Sequence, residues 1–270
     1  ALYKKVYQPS TISLVIYGVT FLLLFLLVKN YQKYYQSRKS QLKDAIAQGQ
    51  VTNFYQLIWD TRTSGFIGAE TLVRLNDPIE GILTPNLFLA DIQANKLLKE
   101  MTYEIIKTLI QDAEVLTRQH KIKKVNLNIT GEHLKDAHFK TLILELNQLI
   151  PLLVLELTEN ELLEFDNQHV MQTIQDFKAE GILLAIDDFG TGYAGLQYLK
   201  SLPLDIIKID QSYVAAIGTE SQLATMLDAL IELAKTFKID VVAEGVETQA
   251  QADYLIDKGV YLHQGWKYHK

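Results

Sequence analysis

Short apolar runs rich in β-formers alternate with longer stretches of helical period through most of this 270-residue chain, and nothing else narrows its fold so far. The strand-like runs are Phe54–Trp59, Phe66–Val73, Val125–Ile129, Leu152–Leu157, Ile182–Asp187, Leu204–Ile209, Ile239–Ala243 and Val260–His263. The clearest helical stretches, with apolar residues three and four apart, cover 96–118, 132–148, 168–179, 221–237 and 248–258. Strands separated by helices imply parallel pairing with right-handed crossovers. Eight strands in roughly 220 residues suit a closed barrel better than an open sheet. One joint differs: only Asp60–Gly65 parts the first two runs, a hairpin length too short for a helical crossover. The expected fold is therefore α/β, a TIM-like (β/α)8 barrel with an antiparallel first strand.

Successive runs end in polar groups: Asn128, Glu156, the pair Asp187 and Asp188, Lys208, Glu244 and Gln264. In a barrel all these ends open onto one rim, where active sites lie. The stretch Asp187-Asp188-Phe189-Gly190-Thr191-Gly192-Tyr193 is the most telling, because adjacent carboxylates stay ionised together only with positive charge between them. That makes the pair a metal-site candidate. The chain has no cysteine, which excludes disulfides and thiolate-held metals. Residues 1–50 carry seven Lys/Arg and one acid, Asp44, whereas the remainder carries nineteen basic and thirty-one acidic residues. An acidic globular part argues against binding long nucleic acid, which needs a basic footprint.

Val6 to Val28 holds no charge. As a helix it would span roughly 34 Å, enough to cross a hydrocarbon core of about 30 Å. Lys29-Asn30-Tyr31 follows, where a cleaved signal peptide would show small residues. Lys29, Lys33, Arg38, Lys39 and Lys43 outnumber Lys4 and Lys5, so the positive-inside rule places the larger part in the cytoplasm, with Tyr31, Tyr34 and Tyr35 at headgroup level. The expected layout is a transmembrane helix with its flanks at 1–36, a connecting helix and linker at 37–52 (Leu42, Ala45 and Ile46 on one side, stopped at Gly49), and the barrel at 53–270. An opening Ala in place of Met suits a piece of a longer membrane protein.

The ordered landmarks Tyr55-Gln56, Glu70-Thr71-Leu72-Val73-Arg74, Asn128-Ile129-Thr130, Glu156-Leu157-Thr158-Glu159, Asp187 through Tyr193, Lys208-Ile209-Asp210, Ala243 through Thr248 and Gln264-Gly265 carry a resemblance. Over residues 40 to 270 the chain resembles the EAL-domain cyclic di-GMP phosphodiesterases of bacteria, in a membrane-anchored form. The resemblance implies a metal-dependent hydrolase that opens cyclic di-GMP to linear pGpG, working as a homodimer at the inner membrane. It implies that Glu70, Asn128, Glu156 and Asp187 hold one divalent ion, and that Asp187 bridges to a second ion held with Asp188 and Glu244. Lys208 would fix or polarise the attacking water, with Glu244 also a candidate general base. Gln56, Leu72, Arg74, Glu247 and Gln264 would bind substrate, and Glu159 would order the 189–195 loop and couple it to dimerisation. All these metal ligands are hard oxygen donors, which favours magnesium or manganese over zinc.

The chain departs from the family at Thr71, where alanine is usual, at Ala194-Gly195 and Lys267, and at Lys270, where a proline and a last helix usually follow. Rival readings are a catalytically silent cyclic di-GMP receptor or scaffold at the membrane, and a kinase suggested by Asp188-Phe189-Gly190. The kinase reading lacks its glycine-rich loop and catalytic-loop motif. His133, His138, His169 and His263 read as structural.

Overall fold

The hairpin expected at Asp60–Gly65 closes the molecule on itself. The computed structural model describes residues 11–159, 161, 167–190, 199 and 201–269, with the side chains of 11, 12, 15 and 34–38 outside that description. Strands β1 (Val51–Asp60) and β2 (Gly65–Asp77) pair antiparallel from Val51↔Leu75 to Asp60↔Gly65. From β2 the sheet continues in parallel through β4 (Lys124–Asn128), β5 (Leu152–Thr158), β6 (Leu183–Phe189), β7 (Ile206–Ile209), β8 (Asp240–Ala243) and β9 (Leu262–His263). β9 then meets β1 antiparallel at Trp59↔His263 and completes the ring. The barrel and its inverted first strand are as the connection lengths imply. A three-residue strand, β3 (Gly81–Leu83), adds antiparallel to the far end of β2, outside the ring.

Period two sends alternate side chains inward. Ile58, Val154, Ala185, Ile206, Val242 and Leu262 pack together as the inner apolar layer, and the outward residues join the helices in a second, larger core. The helices are α2 (Pro85–Ala94), α3 (Leu98–Glu114, passing into a π turn at Val115–Gln119), α4 (Gly131–Leu134), α5 (Ala137–Asn147), α6 (Gln168–Ala179), α7 (Gln211–Ala215), α8 (Gln222–Phe237) and α9 (Gln249–Asp257). In α6 the buried stripe is Val170, Thr173, Ile174 and Phe177, the i, i+3, i+4, i+7 rhythm of one helix face. The single helix expected at 132–148 is broken at Asp136, whose extended backbone and side chain cap α5 by accepting from the His138 and Phe139 amides.

Helix α1 (Thr11–Ala47) runs unbroken through the expected 36/37 boundary and ends before Gly49, whose φ of +72° suits glycine. Its Phe21–Val28 side chains are exposed, while Leu42 and Ile46 are buried. The described part of α1 takes in Lys29, Asn30, Gln32 and Lys33 beyond that apolar run, and among the described residues no helix is long and apolar enough to cross a membrane. The expected transmembrane helix is thus not supported by the described residues, and the first five residues of the uncharged segment, 6–10, lie outside them.

Candidate active site

Register and a local break in strand geometry gather the acidic groups. Asn128 pairs with Glu156 and Thr158 with Asp187, stepping the polar ends around one rim. Consecutive strand residues normally face opposite ways, yet Asp187 and Asp188 both serve the rim. The register between β6 and β7 shifts after Ile186, and Asp188 adopts φ +53°, left-handed and uncommon for a non-glycine residue. Such a conformation costs on the order of 1–3 kcal/mol and is held where the surroundings enforce it.

At the centre sits the Lys208 ammonium, almost wholly buried. Its Nζ lies 2.9 Å from Glu70, 3.1 Å from Glu156, 3.0 Å from Asp187 and 2.7 Å from Glu244. Glu70 accepts from Gln264 Nε2 at 2.8 Å and from Asn128 Nδ2 at 3.0 Å. Burial alone would raise the Glu70 carboxyl, but Lys208 and these amides outweigh it and hold it below its usual range. Glu156 has Lys208 and a single amide, Asn126, so burial pushes it up to about 8. Burial likewise lifts Glu244 to about 7 against the pull of Lys208. Asp188 is raised by burial and then by the neighbouring Asp187. Burial would lower Lys208, but the surrounding carboxylates keep it well above its ordinary value, a firmly held cation.

The donors fit divalent ions. Oxygens of Glu70, Glu156 and Asp187 lie within 4.8 Å of one another, and so do those of Asp187, Asp188 and Glu244. Asp187 belongs to both groups, as a bridging ligand would, and every donor is a hard oxygen.

Beside the cluster opens a cleft of about 440 Å³, bordered by Gln56, Asp188, Asp210, Glu244, Glu247, Gln264 and Trp266. Gly265 holds its back wall: its φ is +151°, and a Cβ there would meet the Val246 backbone at 2.4 Å. Trp266, next along, is 65 % exposed. A second, more apolar cavity of about 300 Å³ lies under α2 and α3 and reaches the rim at Leu72 and Asn128.

The family profile for the EAL domain matches residues 39–270. The chain belongs to the EAL domain family. It is 35 % identical over 231 residues to the "Probable cyclic di-GMP phosphodiesterase PdeN" of Escherichia coli K12, covering 84 % of this chain and 44 % of that protein. It is 34 % identical over 222 residues to the cyclic di-GMP phosphodiesterase PdeL of the same strain, covering 79 % and 60 %. The chain therefore spans about half the length of these curated relatives. Among solved structures, the EAL enzyme Bd1971 in its cAMP- and cyclic-di-GMP-bound form superposes with a TM-score of 0.80 at 26 % identity, over 97 % of this chain and 73 % of that one. The PaMucR phosphodiesterase in complex with c-di-GMP gives 0.76 at 28 %, over 87 % and 96 %.

Of the residues expected from the EAL pattern, Glu70, Asn128, Glu156, Asp187, Asp188, Lys208, Glu244 and Gln264 converge, while Gln56 and Glu247 border the cleft. Leu72 borders the apolar cavity instead. Arg74 lies apart from both: its Nη1 donates to the Val73 carbonyl and its guanidinium lies 5.2 Å over the Phe54 ring. Glu159 is buried and accepts from the Gly190 amide at 3.1 Å, tying the end of β5 to the turn after β6. The rest of the loop it was expected to order, 191–195, lies outside the described residues. Thr71 points away from the cluster, as expected, and lines the apolar cavity. His133 is buried and accepts from the Thr130 amide through Nδ1, and burial lowers it to about 4. Three residues at the site escaped sequence reasoning, among them Asp210, which borders the cleft just after Lys208-Ile209. Trp266 follows an expected Gln-Gly pair and could have been found there; Asn126 stands two residues before Asn128 on the same strand face.

Proposed function

We propose that this EAL domain hydrolyses one phosphodiester of cyclic di-GMP to give linear pGpG, using two bound magnesium or manganese ions. One observation carries the reading: a buried ammonium ringed by four carboxylates, which with Asp188 form two overlapping groups beside a cleft. When bound, such ions supply a metal-activated hydroxide and neutralise charge building on the phosphate. The residues do the rest. Glu70, Asn128, Glu156 and Asp187 would hold a first ion, and Asp187, Asp188 and Glu244 a second. Lys208 fixes the carboxylates and orients the attacking water with its Nζ protons. Glu244, whose Oε1 lies 2.7 Å from Lys208 Nζ at the rim, would take a proton from that water. The water oxygen bonds to phosphorus, the ester P–O bond breaks, and the leaving oxygen takes the proton that Glu244 received from the water. Gln56, Glu247 and Gln264 shape the cleft for the nucleotide. Leu72 and Arg74 would join them from the neighbouring strand face, Arg74 turning from Phe54 to a phosphate, which its planar fork suits.

Chromatography of cyclic di-GMP incubated with the protein and magnesium, manganese or calcium tests the reading, beside Glu70→Ala. Linear product with the first two ions, abolished by the substitution, is expected. Tight binding with no product over hours would establish the receptor instead.

Placement at the membrane belongs to the same proposal. The uncharged Val6–Val28 segment, whose residues Phe21–Val28 are exposed and apolar on α1, anchors the chain in the bacterial inner membrane with the barrel in the cytoplasm and a homodimer as the working unit. Carbonate-resistant sedimentation with bacterial membranes is the expected behaviour; release into the wash would overturn it.

A further inference from the structure

Strand β4 turns a polar face into the barrel between β2, whose Glu70 lies level with Asn126, and β5, which turns an apolar side chain inward at that level. Lys124, Asn126 and Asn128 alternate along it, so all three lie on the inward side. The register partner of Asn126 on β5 is Val154, a member of the inner layer with Ile58, Ala185, Ile206, Val242 and Leu262. An amide buried in such a layer is costly unless it is hydrogen-bonded. Asn126 is fully buried and only half satisfied. Its Nδ2 donates to Glu156 Oε1 at 2.6 Å, while its Oδ1 has no hydrogen-bond partner. An apolar side chain would serve the layer better, so the carboxylate above it accounts for the amide. The bond occupies Oε1 of Glu156 from beneath and leaves Oε2 directed at the rim, where it meets Lys208 Nζ at 3.1 Å.

We propose that Asn126 is the positioning residue of the first ion pocket, holding the Glu156 carboxylate so that one oxygen alone faces Glu70 and Asp187. It touches neither ion nor substrate. Partners of this kind orient metal ligands, and their loss typically weakens metal affinity by about 10–100-fold. The proposal rests on the metal-site reading above, and its test needs no substrate, so it stands or falls separately from cyclic di-GMP cleavage.

Asn126→Leu fills the same space and suits the apolar layer; Asn126→Ala is the companion should the leucine not be accommodated. Each full-length variant is stripped with chelator, melted without metal, and titrated calorimetrically with manganese. The expected result is a metal-free melting temperature for the leucine variant at or above that of the parent, with manganese bound about 10–100-fold more weakly. Affinity within twofold of the parent in a folded variant would overturn the proposal. So would weakened affinity that merely tracks lost metal-free stability in both variants, which would make Asn126 a structural residue.

Discussion

Trp266 stands where an indole has little to gain from the fold. It is 65 % exposed, and its backbone is pinned by Gly265 against Val246. The chain's other tryptophan, Trp59, lies stacked on Tyr268 with ring centroids 5.3 Å apart. A rigidly mounted, exposed indole beside a polar cleft is a platform for a flat base, worth roughly 1–3 kcal/mol per stacked base. Trp266→Ala should therefore raise KM for cyclic di-GMP by about tenfold or more while leaving kcat close to the parent value, and Trp266→Phe should recover most of the loss. In calcium, chosen to bind without turnover, the parent's tryptophan fluorescence should be quenched by substrate and that of the alanine variant should not. An unchanged KM in the alanine variant would remove Trp266 from the binding site.

At the scale of elements, local signals that are strong in sequence became structure, and their interruptions come from single side chains. Asp136 is one such interruption. It caps α5, accepts from Tyr103 Oη at 2.6 Å, and lies 3.3 Å from Lys99. The Tyr103 hydrogen bond, helped by the Phe139 and His138 amides and Lys99, holds its carboxyl down at about 2 against the opposing push of burial. Asp136→Ala should destabilise the protein by about 1 kcal/mol in denaturant melts at neutral pH. Because its folded pKa is depressed, this contribution is present above the ordinary carboxylate range and is lost as pH falls through about 2. Parent and variant should therefore converge in strong acid; a constant gap would assign the loss to packing. The closed barrel was legible because crossover and hairpin lengths leave few topologies, and the acidic rim because strand ends in a barrel share one face. The α4–α5 break was not, since the apolar rhythm of Phe139, Leu142, Ile143 and Leu146 follows Leu134 with no glycine or proline between to mark a stop. The three residues of β3 carry too short a pattern to see. The resting position of Arg74 over Phe54 is a rotamer choice set by a neighbouring strand, which spacing along one strand does not specify.

For the molecule as a whole, the cluster that enables chemistry weighs against folding when no metal is bound. Glu156 and Glu244 are lifted to about 8 and about 7 by burial, whereas unfolded they would ionise near the ordinary 4.5. Between those limits the folded, metal-free protein keeps protons that the unfolded chain has released, so its stability falls as pH rises through that window. Glu70 acts in the opposite sense: its depressed value gives stability that is present above the ordinary range and lost only as pH drops below it, outside the window. Bound divalent cations reverse the trend, since they favour the ionised carboxylates and stabilise the fold by mass action. In chelator, the melting temperature should decline between about pH 5 and 8; with excess manganese the decline should flatten or invert, and the gap between the curves should widen with pH. Glu156→Gln should remove most of the decline without metal and most of the gain with it, because the amide neither ionises nor binds the ion as strongly. A metal-free melting temperature that rises across the same range, or a manganese effect independent of pH, would show that these carboxylates are not the groups the cations hold.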